Sequence, residues 1–195
     1  YPSMAKDIVV IMQHLAIESA IVLGHSMGGK IAMELALTYP ERVDKLIVAD
    51  IAPVEYPPHH NQIIDGLKAI DLSSVKGRKD ADKQLANYVD NLSVRQFLLG
   101  NLTSKNGQFV FKCDIENIDK NYPNIMRTYQ GSNTYSGPTL FIKGANSDYI
   151  LPEHRAEIVR LFPQSRARVI QGAGHWLHAE KTIAFNRSVT SFLAT

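Results

Sequence analysis

The sequence predicts an α/β protein in which a doubly wound, mostly parallel sheet is flanked by helices. Three observations predict it. Helical and extended patterns alternate from the first residues: an amphipathic run, an apolar run, a second helical run, a second apolar run. The apolar runs, through Ile21-Val22-Leu23 and Leu46-Ile47-Val48-Ala49, lack polar alternation, as strands covered on both faces do. The join between the first strand and the next helix reads Gly24-His25-Ser26-Met27-Gly28, a G-x-S-x-G turn with a strand before it and a helix after it.

Each element follows in order. Residues 3 to 16 read as an amphipathic helix with Ser3 as its N-cap, and Met4, Ile8, Ile11, Met12 and Leu15 form a stripe expected to be core. Residues 17 to 23 form the strand that enters the turn. The turn is tight enough that glycine is expected at both 24 and 28, because a Cβ there would strike the strand or the helix. It lifts Ser26 to the positive start of the next helix, where the backbone N–H of Met27 is free to meet a developing oxyanion. That helix runs to about Tyr39, closed by Pro40. The second strand ends at Asp50. From Pro53 the alternation breaks. Short helical patterns follow around 60 to 70, 80 to 100 and 114 to 130, with a brief extended piece at 108 to 112. We read residues 53–136 as a helical cap inserted into a core made of 1–52 and 137–195, since long structureless insertions are uncommon in compact domains. The core resumes with a strand at 138 to 143, a helix from Pro152 to about Leu161, a strand through Arg168-Val169-Ile170, and a closing helix carrying Ile183, Phe185, Val189, Phe192 and Leu193.

Bulk properties exclude several classes. A chain of 195 residues with 45% hydrophobic and 21% charged residues is an ordinary globular composition. The net charge of +2 has no basic block behind it, so nucleic acid is not implied. Cys113 is the single cysteine, which rules out an internal disulfide and a cysteine-based metal site, and it is expected to be a small buried side chain. The adjacent pair His59-His60 has no partner spacing that suggests a metal site. No cofactor is implied. No apolar run approaches a membrane span, and the oligomeric state is left open.

The chemistry rests on Ser26 and on a late histidine in Gly172-Ala173-Gly174-His175-Trp176. A serine hydroxyl is a poor nucleophile until a base takes its proton, and His175 is the candidate base. A carboxylate should hold its imidazole in the right tautomer. Two aspartates compete for that place. Asp50 ends the strand next to the turn, and parallel neighbours bring their carboxyl ends together. Asp148 is the alternative, in the loop after the strand at 138 to 143. His25 and Trp176 are the candidate substrate-binding side chains, flanking the serine and the base; simple packing accounts for His25 equally well, and a place in the core is the alternative for Trp176.

These motifs, with Tyr39-Pro40-Glu41-Arg42-Val43, resemble the α/β-hydrolase superfamily along essentially the whole chain. Asp50-Ile51-Ala52-Pro53 and Gly174-His175-Trp176-Leu177-His178-Ala179-Glu180-Lys181 look like the bacterial YbfF-type esterases and the related abhydrolase-domain-11 proteins. The resemblance implies a hydrolase of small-molecule carboxylic esters or thioesters with modest acyl groups, working through an acyl-serine, and with the single cysteine it points to the cytoplasm. Most members of the superfamily carry the acid three residues after the glycine that ends the strand at 138 to 143; here that position is Ser147, and the resemblance implies Asp50 instead. It also implies three or four strands and a His-Gly loop, donor of a second oxyanion N–H, ahead of the first helix. This sequence opens at Tyr1 with that helix, so those strands are expected to be missing from it. A carbon–carbon bond hydrolase on the same triad and a catalytically silent binding module on the same scaffold are the competing readings.

Overall fold

The computed structural model describes residues 1–195. Helix α1 spans Pro2–His14, strand β1 Ala20–His25, α2 Met27–Thr38, β2 Val43–Ala49, α3 Asn61–Lys68, α4 Arg78–Leu85, α5 Leu92–Leu99, β3 Leu102–Lys105, β4 Gln108–Phe111, α6 Ile115–Met126, β5 Thr139–Gly144, α7 Arg155–Leu161, β6 Ser165–Ile170, α8 Leu177–Glu180 and α9 Thr182–Leu193. The chain divides into two compact units, one of Tyr1–Glu55 with Arg127–Thr195 and one of Tyr56–Met126.

The first unit holds a four-stranded parallel sheet in the order β1-β2-β5-β6. The uninterrupted apolar run of β2 is explained by its place inside the sheet. Ile47 and Ala49 face one side with Leu140 and Ile142, where Leu177, Phe185 and Phe192 pack on them. Leu46, Val48 and Phe141, on the opposite face, are buried just as fully, and α2 lies on that side, with Gly29 against Val48. Parallel pairing aligns the carboxyl ends of all four strands: His25 pairs with Ala49, Ala49 with Ile142, and Gly144 with Ile170. The residues that follow those ends therefore converge at one edge of the sheet.

Lys30, on α2 and only 6% exposed, ties together the points at which the chain leaves this unit and re-enters it. Its Nζ donates to the carbonyls of Val54 (2.5 Å) and Arg127 (2.8 Å). Beside it, Thr128 Oγ1 donates to the Pro53 carbonyl at 2.5 Å. Burial pulls the Lys30 pKa down to about 8, against the raising influence of Glu55.

The second unit packs α3 to α6 and the antiparallel β3-β4 hairpin. Leu67, Leu85, Leu99 and Leu102 are at the centre of its core. The Tyr122 hydroxyl accepts the N–H groups of His59 (3.3 Å) and His60 (3.0 Å), closing the N-terminal side of α3 onto α6.

Several expectations are corrected. The N-cap of α1 is Tyr1, with no side-chain cap, because Pro2 already occupies the first turn. Its apolar stripe is only partly core. Ala5, Val9 and Met12 are buried, whereas Met4, Ile8, Ile11 and Leu15 are 36–59% exposed, since α2 covers a narrower arc than the apolar residues occupy. Ile183 of α9 is likewise turned outward, at 87% exposure. A Cβ on Gly28 would meet nothing within 4 Å; a Cβ on Gly24 would fall 2.2 Å from the Gly28 carbonyl oxygen and one on Gly29 2.5 Å from Ile51 Cγ2, so these are the glycines that crowding requires. Residues 80 to 100 form two helices, and the extended piece at 108 pairs with a strand that was not anticipated, β3. Asn106-Gly107, both at positive φ (53° and 79°), makes the two-residue turn between them. Cys113 is half-buried rather than core, because it lies in the short link from β4 to α6.

Candidate active site

Four residues meet at the carboxyl edge of the sheet, each supplied by the loop after a different strand. Ser26 follows β1 directly, with its N–H bonded to the Ala49 carbonyl at 3.0 Å. It sits at φ 54°, ψ −123°, a conformation that a residue with a Cβ adopts only when the surroundings enforce it. Enforcement comes from the strand-to-helix join, whose Gly24 and Gly28 backbones touch. Asp50 follows β2, also at positive φ (53°), its N–H bonded to the Ile142 carbonyl at 2.8 Å. Ser147 lies in the loop after β5, and His175 in the loop after β6.

These side chains form a connected relay. Ser26 Oγ–H donates to His175 Nε2 at 3.0 Å, and His175 Nδ1–H donates to Asp50 Oδ2 at 2.8 Å. Asp50 is completely buried, and two further donors surround its carboxylate. The Gly144 N–H reaches Oδ1 at 2.9 Å, and the Ser147 hydroxyl donates to Oδ2. A buried carboxylate needs such partners, because an unpaired charge removed from water costs several kcal/mol. Ser147 is in turn held through its carbonyl by Lys143 Nζ. Of the two competing aspartates, Asp50 is the one that the fold brings to His175; Asp148 is exposed. Ser147, at the position where the superfamily resemblance led us to look for an acid, hydrogen-bonds Asp50. The sequence drew attention to that position without revealing the bond.

The base loop is held from several sides. Glu180 accepts the N–H groups on either side of His175, from Gly174 at 2.7 Å and Trp176 at 3.2 Å. Asn146 N–H donates to the Ala173 carbonyl at 2.9 Å. Tyr149 stacks on the His175 ring, centroids 4.0 Å apart and planes 25° apart. Neither Glu180 nor Tyr149 was singled out from the sequence; their roles depend on where the loops cross, which no local spacing reports.

His25, a candidate substrate-binding side chain, is half-buried and directs its Nε2–H to the His175 carbonyl at 2.8 Å. Burial pulls its pKa down, against the raising effect of that bond. Trp176 stands beside the base, its ring 5.9 Å from His175, and is 37% exposed. Met27, 43% exposed, occupies the first position of α2, where a backbone N–H has no partner within the helix. His178 packs its ring 4.6 Å from that of His25, and its buried Nδ1 has no hydrogen-bond partner. No group of three His, Cys, Asp or Glu side chains is arranged to hold a metal ion, and no helix is long and apolar enough to cross a membrane.

Comparison with known proteins agrees with this fold. The family described as the alpha/beta hydrolase fold matches residues 1–182. A sn-1-specific diacylglycerol lipase, ABHD11 of Mus musculus, is 41% identical over 200 residues, covering all of this chain and 65% of its own length. Esterase YbfF of Escherichia coli (strain K12) is 37% identical over 194 residues, covering 99% of this chain and 74% of its own. Among solved structures, a marine microorganism esterase superposes with a TM-score of 0.94 at 42% identity, over 97% of this chain and 76% of that one. The chain thus spans about two thirds of the mouse protein's length. By the match over residues 1–182 and by its relatives, and with a parallel sheet and a serine turn at its carboxyl edge, the chain belongs to the alpha/beta hydrolase fold family.

Proposed function

We propose that the protein is a serine hydrolase of carboxylic esters or thioesters, with Ser26 as nucleophile, His175 as general base and acid, and Asp50 as the orienting carboxylate. The observation that carries the reading is the continuous Ser26–His175–Asp50 relay, with a serine hydroxyl at one end and a fully buried carboxylate at the other. His175 Nε2 takes the Ser26 proton as Oγ attacks the acyl carbon. The negative charge that develops on the carbonyl oxygen meets the Met27 N–H at the start of α2. Collapse of the tetrahedral intermediate sends the proton from His175 to the leaving alkoxide or thiolate and leaves an ester on Ser26. Water then attacks that ester, giving its proton to Nε2, and the acid product departs as Ser26 Oγ recovers a proton from His175. Trp176 borders the acyl side. The unit Tyr56–Met126, which interrupts the chain between β2 and β5, acts as the cap that selects substrates.

The names of the relatives, an esterase and a sn-1-specific diacylglycerol lipase, support ester chemistry and place glycerolipid esters among the substrates to test. The experiment is hydrolysis of p-nitrophenyl esters across acyl lengths, paired with labelling by a fluorophosphonate probe. It is run on this chain and, where the gene encodes residues upstream of Tyr1, on the extended chain. Ser26→Ala is expected to abolish labelling and to lower turnover by ~1,000-fold or more. Folded protein that neither labels nor hydrolyses any ester, in either form, would overturn the reading in favour of a binding module.

A further inference from the structure

The relay needs Ser26 Oγ and His175 Nε2 within hydrogen-bond reach, yet the two residues are 149 positions apart in the chain. Part of the tie between them is the Asp50 carboxylate, which fixes the far side of the imidazole. A second tie runs through the residue before the nucleophile. His25 ends β1, is joined covalently to Ser26, and reaches across with its ring to the main chain of His175. A carbonyl oxygen can only accept, so the proton of this bond resides on His25 Nε2, and the tautomer is fixed. The other supports of the base loop, Glu180 and Asn146, grip it from its own side of the sheet or from β5. Beside the Ser26–His175 hydrogen bond itself, the His25 bond joins the serine turn directly to the main chain of the base.

We infer that His25 is a positioning residue for catalysis: its Nε2–H bond to the His175 carbonyl sets the distance between the nucleophile and the base. This rests on the serine-hydrolase reading above. The ring has no need to touch substrate to act. Its half-buried place among the rings of His175 (4.7 Å), Trp176 (5.7 Å) and His178 (4.6 Å) leaves little room for it to turn away. Loss of the bond frees the His175 backbone to drift by a fraction of an ångström, and displacement of a reacting group by about 1 Å costs on the order of 100-fold in rate.

Two substitutions separate the bond from the packing. His25→Phe keeps an aromatic ring and removes the donor. His25→Gln loses the ring but carries an amide N–H that reaches the position of Nε2. His25→Phe is expected to lower kcat by about 10- to 100-fold with KM within about twofold, and to slow phosphonylation of Ser26 in proportion. His25→Gln is expected to recover most of that loss. In protein labelled with 15N-histidine, His25→Phe should also shift the His175 ring resonances, whereas His25→Gln leaves them near their original positions. Full activity in His25→Phe, or equal loss in the two variants, would overturn the inference. If the unsubstituted protein shows no hydrolase activity, the functional reading fails on its own, and the histidine resonances still decide whether His25 holds His175 in place.

Discussion

At the scale of single residues, the acid shows how much of this site a side-chain inventory can foresee. Asp50 and Asp148 are equivalent as residue types, and both lie at strand ends. What separates them is the crossing of loops: Asp50 is sealed beneath His175 with three donors around it, and Asp148 faces solvent. Asp50→Asn is therefore expected to lower kcat by ~1,000- to 10,000-fold, as a wrong tautomer does, while Asp148→Asn stays within about twofold of the unsubstituted rate because an exposed charge contributes little. Because the Ser147 hydroxyl already touches Asp50 Oδ2, a carboxylate introduced there can reach the same imidazole nitrogen. The double variant Asp50→Asn, Ser147→Asp is expected to regain at least about tenfold over Asp50→Asn alone in ester hydrolysis. No recovery would mean that the loop after β5 cannot present an acid in this chain. Ser26 and His175 were legible because glycines and chain order mark them. Ser147, Tyr149 and Glu180 were not, because each acts through a contact between segments far apart in the sequence.

At the scale of elements, hydrophobic periodicity and punctuation found most helices and all four parallel strands, with bounds a few residues off at several ends. It failed where tertiary context decides. The stripe on α1 is real, but which part of it is buried depends on the width of α2, and β3 has too few residues to announce itself without weighing the Asn106-Gly107 turn. The fold also hides a polar tie within α2, where Lys30 and Glu34 are buried among Ala32, Met33, Leu35, Ala36 and Leu37. Lys30→Met removes the donor shared by the Val54 and Arg127 carbonyls, and an intramolecular hydrogen bond contributes about 0.5–1.5 kcal/mol. A lower urea midpoint is expected. The pH dependence has a definite sign. With the native pKa pulled down to about 8 from the ordinary lysine value of 10.5, the unfolded chain binds more protons between those limits, so the Lys30 contribution makes stability rise with pH across that window. The rise should be absent from Lys30→Met, as urea unfolding between pH 7 and pH 11 will report; identical slopes would show that the amine titrates alike in both states.

At the scale of the whole molecule, segments from before Glu55 and after Arg127 share one parallel sheet in the order β1-β2-β5-β6, so each half of this unit depends on the other for its pairing. The sequence exposed the fold class because local patterns and the serine turn agree with one another; it did not reveal which surfaces stay bare, since that depends on every neighbour at once.

The convergence of four loops on one edge of the sheet has a further consequence, for how the molecule comes together. Ser26, Asp50, Ser147 and His175 arrive from chain segments up to 149 residues apart, so no fragment of the polypeptide holds a working set. Nor can a partly formed sheet hold one, because β1, β2, β5 and β6 must all be in register before the last hydroxyl-to-imidazole bond closes. Reactivity of Ser26 toward a phosphonate would then serve as a clock for the final step of folding: silent through every earlier stage, and switched on only when the two ends of the chain have found each other.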